Sequence, residues 1–113
     1  MKIITNQITR QELKEMADKM FGNLVKAVVD VNKEVMAIDG ELHADEEALL
    51  IENGSQAEDI WGINLYPDIQ DDSWIEFDSM INLKPALGNR TRGVENRQIR
   101  ERIIQIINKL VRK

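Results

Sequence analysis

Residues 24–38, with the sequence LVKAVVDVNKEVMAI, decide the fold of this chain. Every second residue along residues 24–31 is apolar, at Val25, Ala27, Val29 and Val31, and most are β-branched, which is typical of a strand with one buried face. Asn32 and Lys33 suit a tight turn, and residues 34–38 then form a second apolar segment. The stretch therefore predicts two neighbouring strands joined by a short turn.

Other segments extend this pair into a sheet. Asp39-Gly40 is the strongest hairpin signal in the chain, because a type I′ turn needs positive φ at both positions, and residues 41–43 would be the returning strand. The remaining segments with strand character are residues 2–5, 60–66 and 74–83. In the last of these, the odd-numbered residues are the more apolar and are expected to face the core.

Helical periodicity dominates both ends of the chain. Thr9 and Glu12 form a capping box that predicts the start of a first helix. Acidic residues 45–47 suit the first turn of a second helix, although this segment could instead be a strand. Asn96 can cap the last helix. Its apolar stripe fits either core burial or the seam of a homodimer, and consists of Ile99, Ile103, Ile106, Ile107 and Leu110.

The elements follow the order β-α-β-β-β-α-β-β-α, with short loops between adjacent strands. This order predicts an α+β fold in which a mainly antiparallel sheet of about five strands packs against helices, with the C-terminal helix on the sheet. A chain of 113 residues has the size of a single domain, residues 1–113.

Composition excludes several classes of function. The formal net charge of -5 argues against a nucleic-acid partner, which calls for a basic face. The chain has no cysteine, so disulfides, thiolate catalysis and zinc ribbons are excluded. No stretch approaches the ~20 apolar residues of a transmembrane helix. We therefore expect a cytoplasmic protein that does not associate with a membrane.

Several segments together resemble a known family. They are GELHAD (40–45), LIENGS (50–55), WGINLYP (61–67), IEFDSMINL (75–83) and GNR (88–90). They are similar to segments of a family of small uncharacterised prokaryotic proteins of about this length. The resemblance implies a single-domain prokaryotic protein, and it implies nothing about mechanism because the family has no assigned activity.

The only histidine lies between two acidic residues. If Glu41, His43 and Asp45 are all extended, their side chains share one face, and the carboxylates would make His43 a candidate general acid or base. The alternative is a hydrogen-bonded histidine at the end of a strand, with Asp45 capping a helix. Together with Glu76 or Asp78 the group could also hold Mg²⁺ or Mn²⁺. With a single histidine and no cysteine, however, we expect no tightly bound metal, and we expect no cofactor.

A polar loop at residues 88–97 is the second candidate site. Asn89, Arg90, Arg92 and Asn96 precede the last helix, where free backbone amides attract anions and the arginine fork recognises phosphate or carboxylate. The alternative is a structural loop in which Arg90 pairs with a carboxylate, Glu76 being the first choice.

These two sites support two hypotheses. The first is a small enzyme, a hydrolase or lyase, that acts on a phosphate- or carboxylate-bearing substrate. The second is a non-catalytic protein that binds a ligand or a partner chain. The arrangement that would favour the first is a single cleft that contains both His43 and Arg90.

Overall fold

The computed structural model describes residues 1–113 and has an α+β fold. The helices are α1 (Arg10–Lys19), α2 (His43–Glu52) and α3 (Arg97–Leu110). The strands are β1 (Lys2–Ile4), β2 (Ile8–Thr9), β3 (Val25–Asp30), β4 (Val35–Ile38), β5 (Ile60–Leu65), β6 (Ile75–Glu76) and β7 (Val111–Arg112). Five strands form an antiparallel sheet in the order β1-β4-β3-β5-β6, and β2 pairs with β7 in parallel. The fold class predicted from the sequence is confirmed.

The sheet is covered on both faces. One face carries the main core, in which Val25, Ala27 and Val29 of β3 pack with residues from α1 and α3. The opposite face carries a smaller cluster in which Val28 packs against Leu50 of α2. Alternate residues of β3 thus pack into different hydrophobic clusters, because successive side chains of a strand point to opposite faces of the sheet.

The local signals at both ends of the chain are confirmed. The Thr9 hydroxyl accepts from the amide of Glu12, whose side chain in turn accepts from the Thr9 amide. Asn96 caps α3 by accepting from the amide of Ile99 at 3.1 Å. The apolar stripe of α3 lies in the core of the chain, with Ile103 and Ile107 fully buried.

The predicted hairpin at Asp39-Gly40 is wrong. Asp39 has φ of 67°, but Gly40 does not have the positive φ that a type I′ turn needs. The Gly40 amide instead donates to the Glu46 carboxyl at 3.0 Å, and helix α2 begins at His43. Residues 41–43 are therefore not a returning strand, because a side chain from the following helix takes the hydrogen bond that a strand would have made.

The long strand predicted over residues 74–83 is also wrong. Only Ile75–Glu76 pairs with β5, and a 3-10 turn follows at Met80–Asn82. Asn82 replaces the missing strand, since its side chain accepts from the Gly62 amide at 2.8 Å and donates to the Gly62 carbonyl at 2.9 Å. The expected division into core and solvent faces holds for the buried Ile75 and Ser79 and the exposed Met80. It fails at the end of the segment, where Asn82 is fully buried and Leu83 is exposed.

Candidate functional site

A cleft of about 290 Å³ lies beside the only histidine, and we call it the His43 cleft. Its floor contains Lys26 of β3 and Asn64 of β5, which are direct neighbours across the sheet. One wall is the start of α2, residues 42–44. The other wall is residues 78–81 together with Arg92. The cleft thus gathers residues from five separate parts of the sequence.

His43 is held in one tautomer when neutral. Its Nε2 lies 2.8 Å from the carbonyl oxygen of Ile63. Because a carbonyl only accepts, Nε2 must carry the hydrogen, and the lone pair of the neutral ring is on Nδ1. Burial lowers the pKa of His43 below its ordinary value of 6.5, and the positive charges of Lys26 and Arg92 act in the same direction. The imidazole is therefore predominantly neutral at pH 7 and can accept a proton.

Two cations contribute to the cleft. The Arg92 Nε lies 2.7 Å from the Asp78 carboxylate, with both side chains about half exposed, and its other N–H groups have no protein partner. Lys26 has no carboxylate within ion-pair distance, and its Nζ lies 5.0 Å from the ring centre of Phe21, which lines a neighbouring pocket shared by Lys26. With His43 neutral, these two cations and the single carboxylate of Asp78 leave the cleft with a net charge of +1.

A row of polar side chains runs from the floor of the cleft to Glu76 and Tyr66, which lie outside its lining. Asn64 stands beside Lys26 on one side and Glu76 on the other. Its Nδ2 donates to Glu76 Oε1 at 2.9 Å, and the Tyr66 hydroxyl donates to the same oxygen at 2.9 Å. Turning the Asn64 amide over would set its oxygen against that carboxylate, so the orientation is fixed. The Asn64 Oδ1 is left buried and without a hydrogen-bond partner.

The second wall depends on a close approach at Gly62. A Cβ at this position would lie 2.6 Å from both Cβ and Oγ of Ser79, so only glycine lets residues 78–81 come so close to β5. Asn82 then fixes the segment, because it also donates to the Arg92 carbonyl at 2.9 Å. The positions of Asp78 and Arg92 in the cleft follow from these contacts.

The residues predicted around His43 do not converge. Glu41 and Asp45 are exposed and do not line the cleft. The strand in which their side chains would share one face is absent, because Asp45 lies in the first turn of α2. The carboxylate close to His43 is that of Asp78, which raises the pKa of the imidazole by a smaller amount than burial lowers it.

The four residues predicted in the polar loop also do not form a single site. Asn89 is buried and supports the loop, since its Nδ2 donates to the carbonyls of Asn82 and Gly93 and its Oδ1 accepts from the Glu95 amide. Arg90 is exposed, and its backbone amide donates to the carboxylate of Glu95. Glu76 pairs with Asn64 and Tyr66 rather than with Arg90.

Of the four loop residues, Arg92 alone lines the His43 cleft. Asn89 and Asn96 line a second cleft, over Trp61, whose rim includes the carboxylates of Glu58 and Glu95. Those acids oppose an anion at that position. His43 and Arg90 therefore do not share a cleft, whereas His43 and Arg92 do.

Sequence reasoning missed Lys26 and Asn64. Each is a polar residue flanked by apolar residues within its strand, and that is the signal which could have identified them. Their proximity to His43 follows from the pairing of β3 with β5, which no local pattern encodes. No group of three histidine, aspartate or glutamate side chains is placed to hold a metal ion.

None of the helices is long and apolar enough to cross a membrane. The model of a family described as "Protein of unknown function (DUF5674)" matches residues 2–110. No curated protein and no solved structure matches the chain.

Proposed function

The chain belongs to the DUF5674 family, whose description states no activity, and we propose a function from the geometry of the His43 cleft. The cleft binds a small molecule that carries a carboxylate or a phosphate. Arg92 and Lys26 pair with the anionic group. His43 acts as a general base through Nδ1, on the bound molecule or on a water beside it.

The observation that carries the proposal is the shared location of the only histidine and two cations with unused binding capacity. Arg92 uses its Nε for Asp78, so the outer N–H groups of the guanidinium remain for a ligand. Two parallel N–H groups match the two oxygens of a carboxylate or phosphate. Lys26 adds a second positive charge that no carboxylate neutralises within ion-pair distance.

The state of His43 supports a role in proton transfer. A base must be unprotonated at the working pH, and the lowered pKa of His43 meets this requirement at pH 7. The hydrogen bond from Nε2 to Ile63 orients the ring and stabilises the imidazolium that forms when Nδ1 takes a proton. In a hydrolysis the proton would come from a water whose oxygen bonds to the ester and displaces the alcohol. In an elimination it would come from the carbon next to the carboxylate, and the C–H electron pair would form a double bond as the leaving group departs from the adjacent carbon with its bonding pair.

One observation favours the non-catalytic alternative. Asp78 is the only acid in the lining of the cleft, and it is paired with Arg92. A second carboxylate is therefore not free to act as an acid or base, and the same anion could be bound without reaction. Both alternatives predict an anion at Arg92, and they differ in whether the parent protein forms product.

The first experiment is an NMR titration of His43 with phosphate and with acetate, against chloride at equal ionic strength. A bound anion beside the imidazole raises the pKa of His43. We expect this rise in the parent and in Arg90→Gln, and its loss in Arg92→Gln. The two variants are matched, because they remove the same charge from one loop and only Arg92 lines the cleft.

Equal responses of the two variants would refute the proposal. Shifts confined to residues 89–96 would instead place the anion at the polar loop. Arg92→Lys keeps the charge without the planar fork, so it should bind more weakly than the parent and more tightly than Arg92→Gln.

A second experiment separates catalysis from binding. His43→Gln keeps an N–H donor for the Ile63 carbonyl and removes the base. We expect it to bind phosphate or acetate, and to lose any turnover that the parent shows on phosphate esters and carboxylate esters. If the parent binds the anions but turns over none of these esters, the non-catalytic alternative gains support.

A further inference from the structure

Two large apolar side chains are exposed at the mouth of the His43 cleft. Leu42, just before α2, is 55% exposed, and Met80, in the opposite wall, is 63% exposed. Single exposed apolar residues are common on proteins and need no explanation. These two differ because both line one cleft, together with Ala44 and Ile81.

The charge of the cleft restricts the anionic group. Lys26 and Arg92 together with Asp78 give a net charge of +1 while His43 is neutral. A carboxylate or a singly charged phosphate neutralises this charge, whereas the dianion that predominates for phosphate esters at pH 7 leaves an excess negative charge. The excess negative charge is unfavourable beside the carboxylate of Asp78, and solvent reduces the effect because Asp78 and Arg92 are about half exposed.

We infer that the ligand is a short apolar carboxylic acid whose carboxylate binds Arg92 and whose hydrocarbon part lies between Leu42 and Met80. This inference rests on the proposed function, since it requires an anion at Arg92. It adds the chemical class of the molecule, a monoanion with an apolar chain rather than a phosphorylated compound.

The dimensions and the side chains of the cleft agree with this class. A volume of about 290 Å³ lies at the lower end of the ~300–1,000 Å³ of ligand pockets, which suits a molecule of a few carbons. Methionine is unbranched and polarisable, so Met80 can adjust to hydrocarbon chains of different length. Each methylene removed from water contributes ~0.8 kcal/mol, which corresponds to about fourfold in affinity.

The test is a series of straight-chain carboxylates from acetate to hexanoate, with inorganic phosphate for comparison, measured by NMR titration on the intact chain. We expect the affinity to rise by up to about fourfold per methylene, with butyrate binding more tightly than phosphate. The variants are Leu42→Ala and Met80→Ala. Each should reduce the increase with chain length and leave the affinity for acetate nearly unchanged.

Leu87→Ala is the matched control, because Leu87 is 51% exposed and does not line the His43 cleft. All three residues are exposed, so their replacement should not unfold the protein. Equal affinity for acetate and hexanoate, or tighter binding of phosphate than of butyrate, would overturn the inference and leave the anion site intact. Failure of every anion to bind would overturn the proposed function as well.

Discussion

Glu46 should make this protein lose stability as the pH rises. The side chain is fully buried on α2, its Oε2 accepts from the Gly40 amide, and its Oε1 has no partner. Burial raises the pKa of Glu46 from 4.5 to about 9. Among the surrounding charges, Lys26 and the N-terminus lower the pKa of Glu46, and Asp39 raises it. All three effects are smaller than the effect of burial.

The direction of this change in stability follows from whether the folded or the unfolded chain holds the Glu46 proton more tightly. The folded chain keeps the Glu46 proton up to about pH 9, whereas the unfolded chain releases it near pH 4.5. The stability from this group is therefore fully present below pH 4.5 and decreases as the pH rises towards 9. Between pH 4.5 and 7, at ~1.36 kcal/mol per unit, the loss is about 3 kcal/mol.

The test compares urea unfolding of the parent and of Glu46→Gln at pH 4.5 and pH 7. Glutamine keeps an acceptor for the Gly40 amide and cannot ionise. The free energy of unfolding of the variant, relative to the parent, should rise by about 3 kcal/mol between the two pH values. Glu52→Gln is the control, because Glu52 is exposed at the end of the same helix and should give no such rise. An equal pH dependence in the parent and Glu46→Gln would refute the reasoning.

Three further predictions concern the wall of the cleft and the core. Asn82→Ala leaves the buried N–H and C=O of Gly62 without partners, so urea melts should show a loss of about 3 kcal/mol. Gly62→Ala forces a Cβ against Ser79, and calorimetry should show a loss of about 1–3 kcal/mol, whereas a gain would mean that the segment moves freely. Ile103→Ala and Ile107→Ala each open a cavity in the core and should each cost ~2–4 kcal/mol, and unchanged urea midpoints would contradict that placement.

The elements that could be predicted from the sequence are those with local causes. The capping box at Thr9 and the cap at Asn96 involve residues only three positions apart. The strands at residues 24–38 follow from an apolar period of two. In each case the stabilising interaction joins residues that are close together in the chain, so it can be recognised from the sequence.

The predictions that failed involve residues far apart in the sequence. The strand over residues 74–83 is interrupted because Asn82 bonds to Gly62, 20 residues earlier. The hairpin at Asp39-Gly40 gives way to a turn into α2 because the buried Glu46 side chain takes the Gly40 amide. Both segments have the local pattern of a strand, and in both a buried side chain bonds to backbone groups that a further strand would otherwise have paired.

The predictions about the candidate site show the same difference between local and long-range causes. The sequence by itself indicated His43 and an arginine of the polar loop as candidates, because an imidazole can transfer a proton near pH 7 and a guanidinium can bind an anion. Only the tertiary structure decided that Arg92 rather than Arg90 meets His43, and that Lys26 and Asn64 join them. The physical reason is that the cleft depends on the pairing of β3 with β5 and on the packing of residues 78–81 against Gly62. Such contacts depend on shape and burial across the whole chain, which local periodicity does not record.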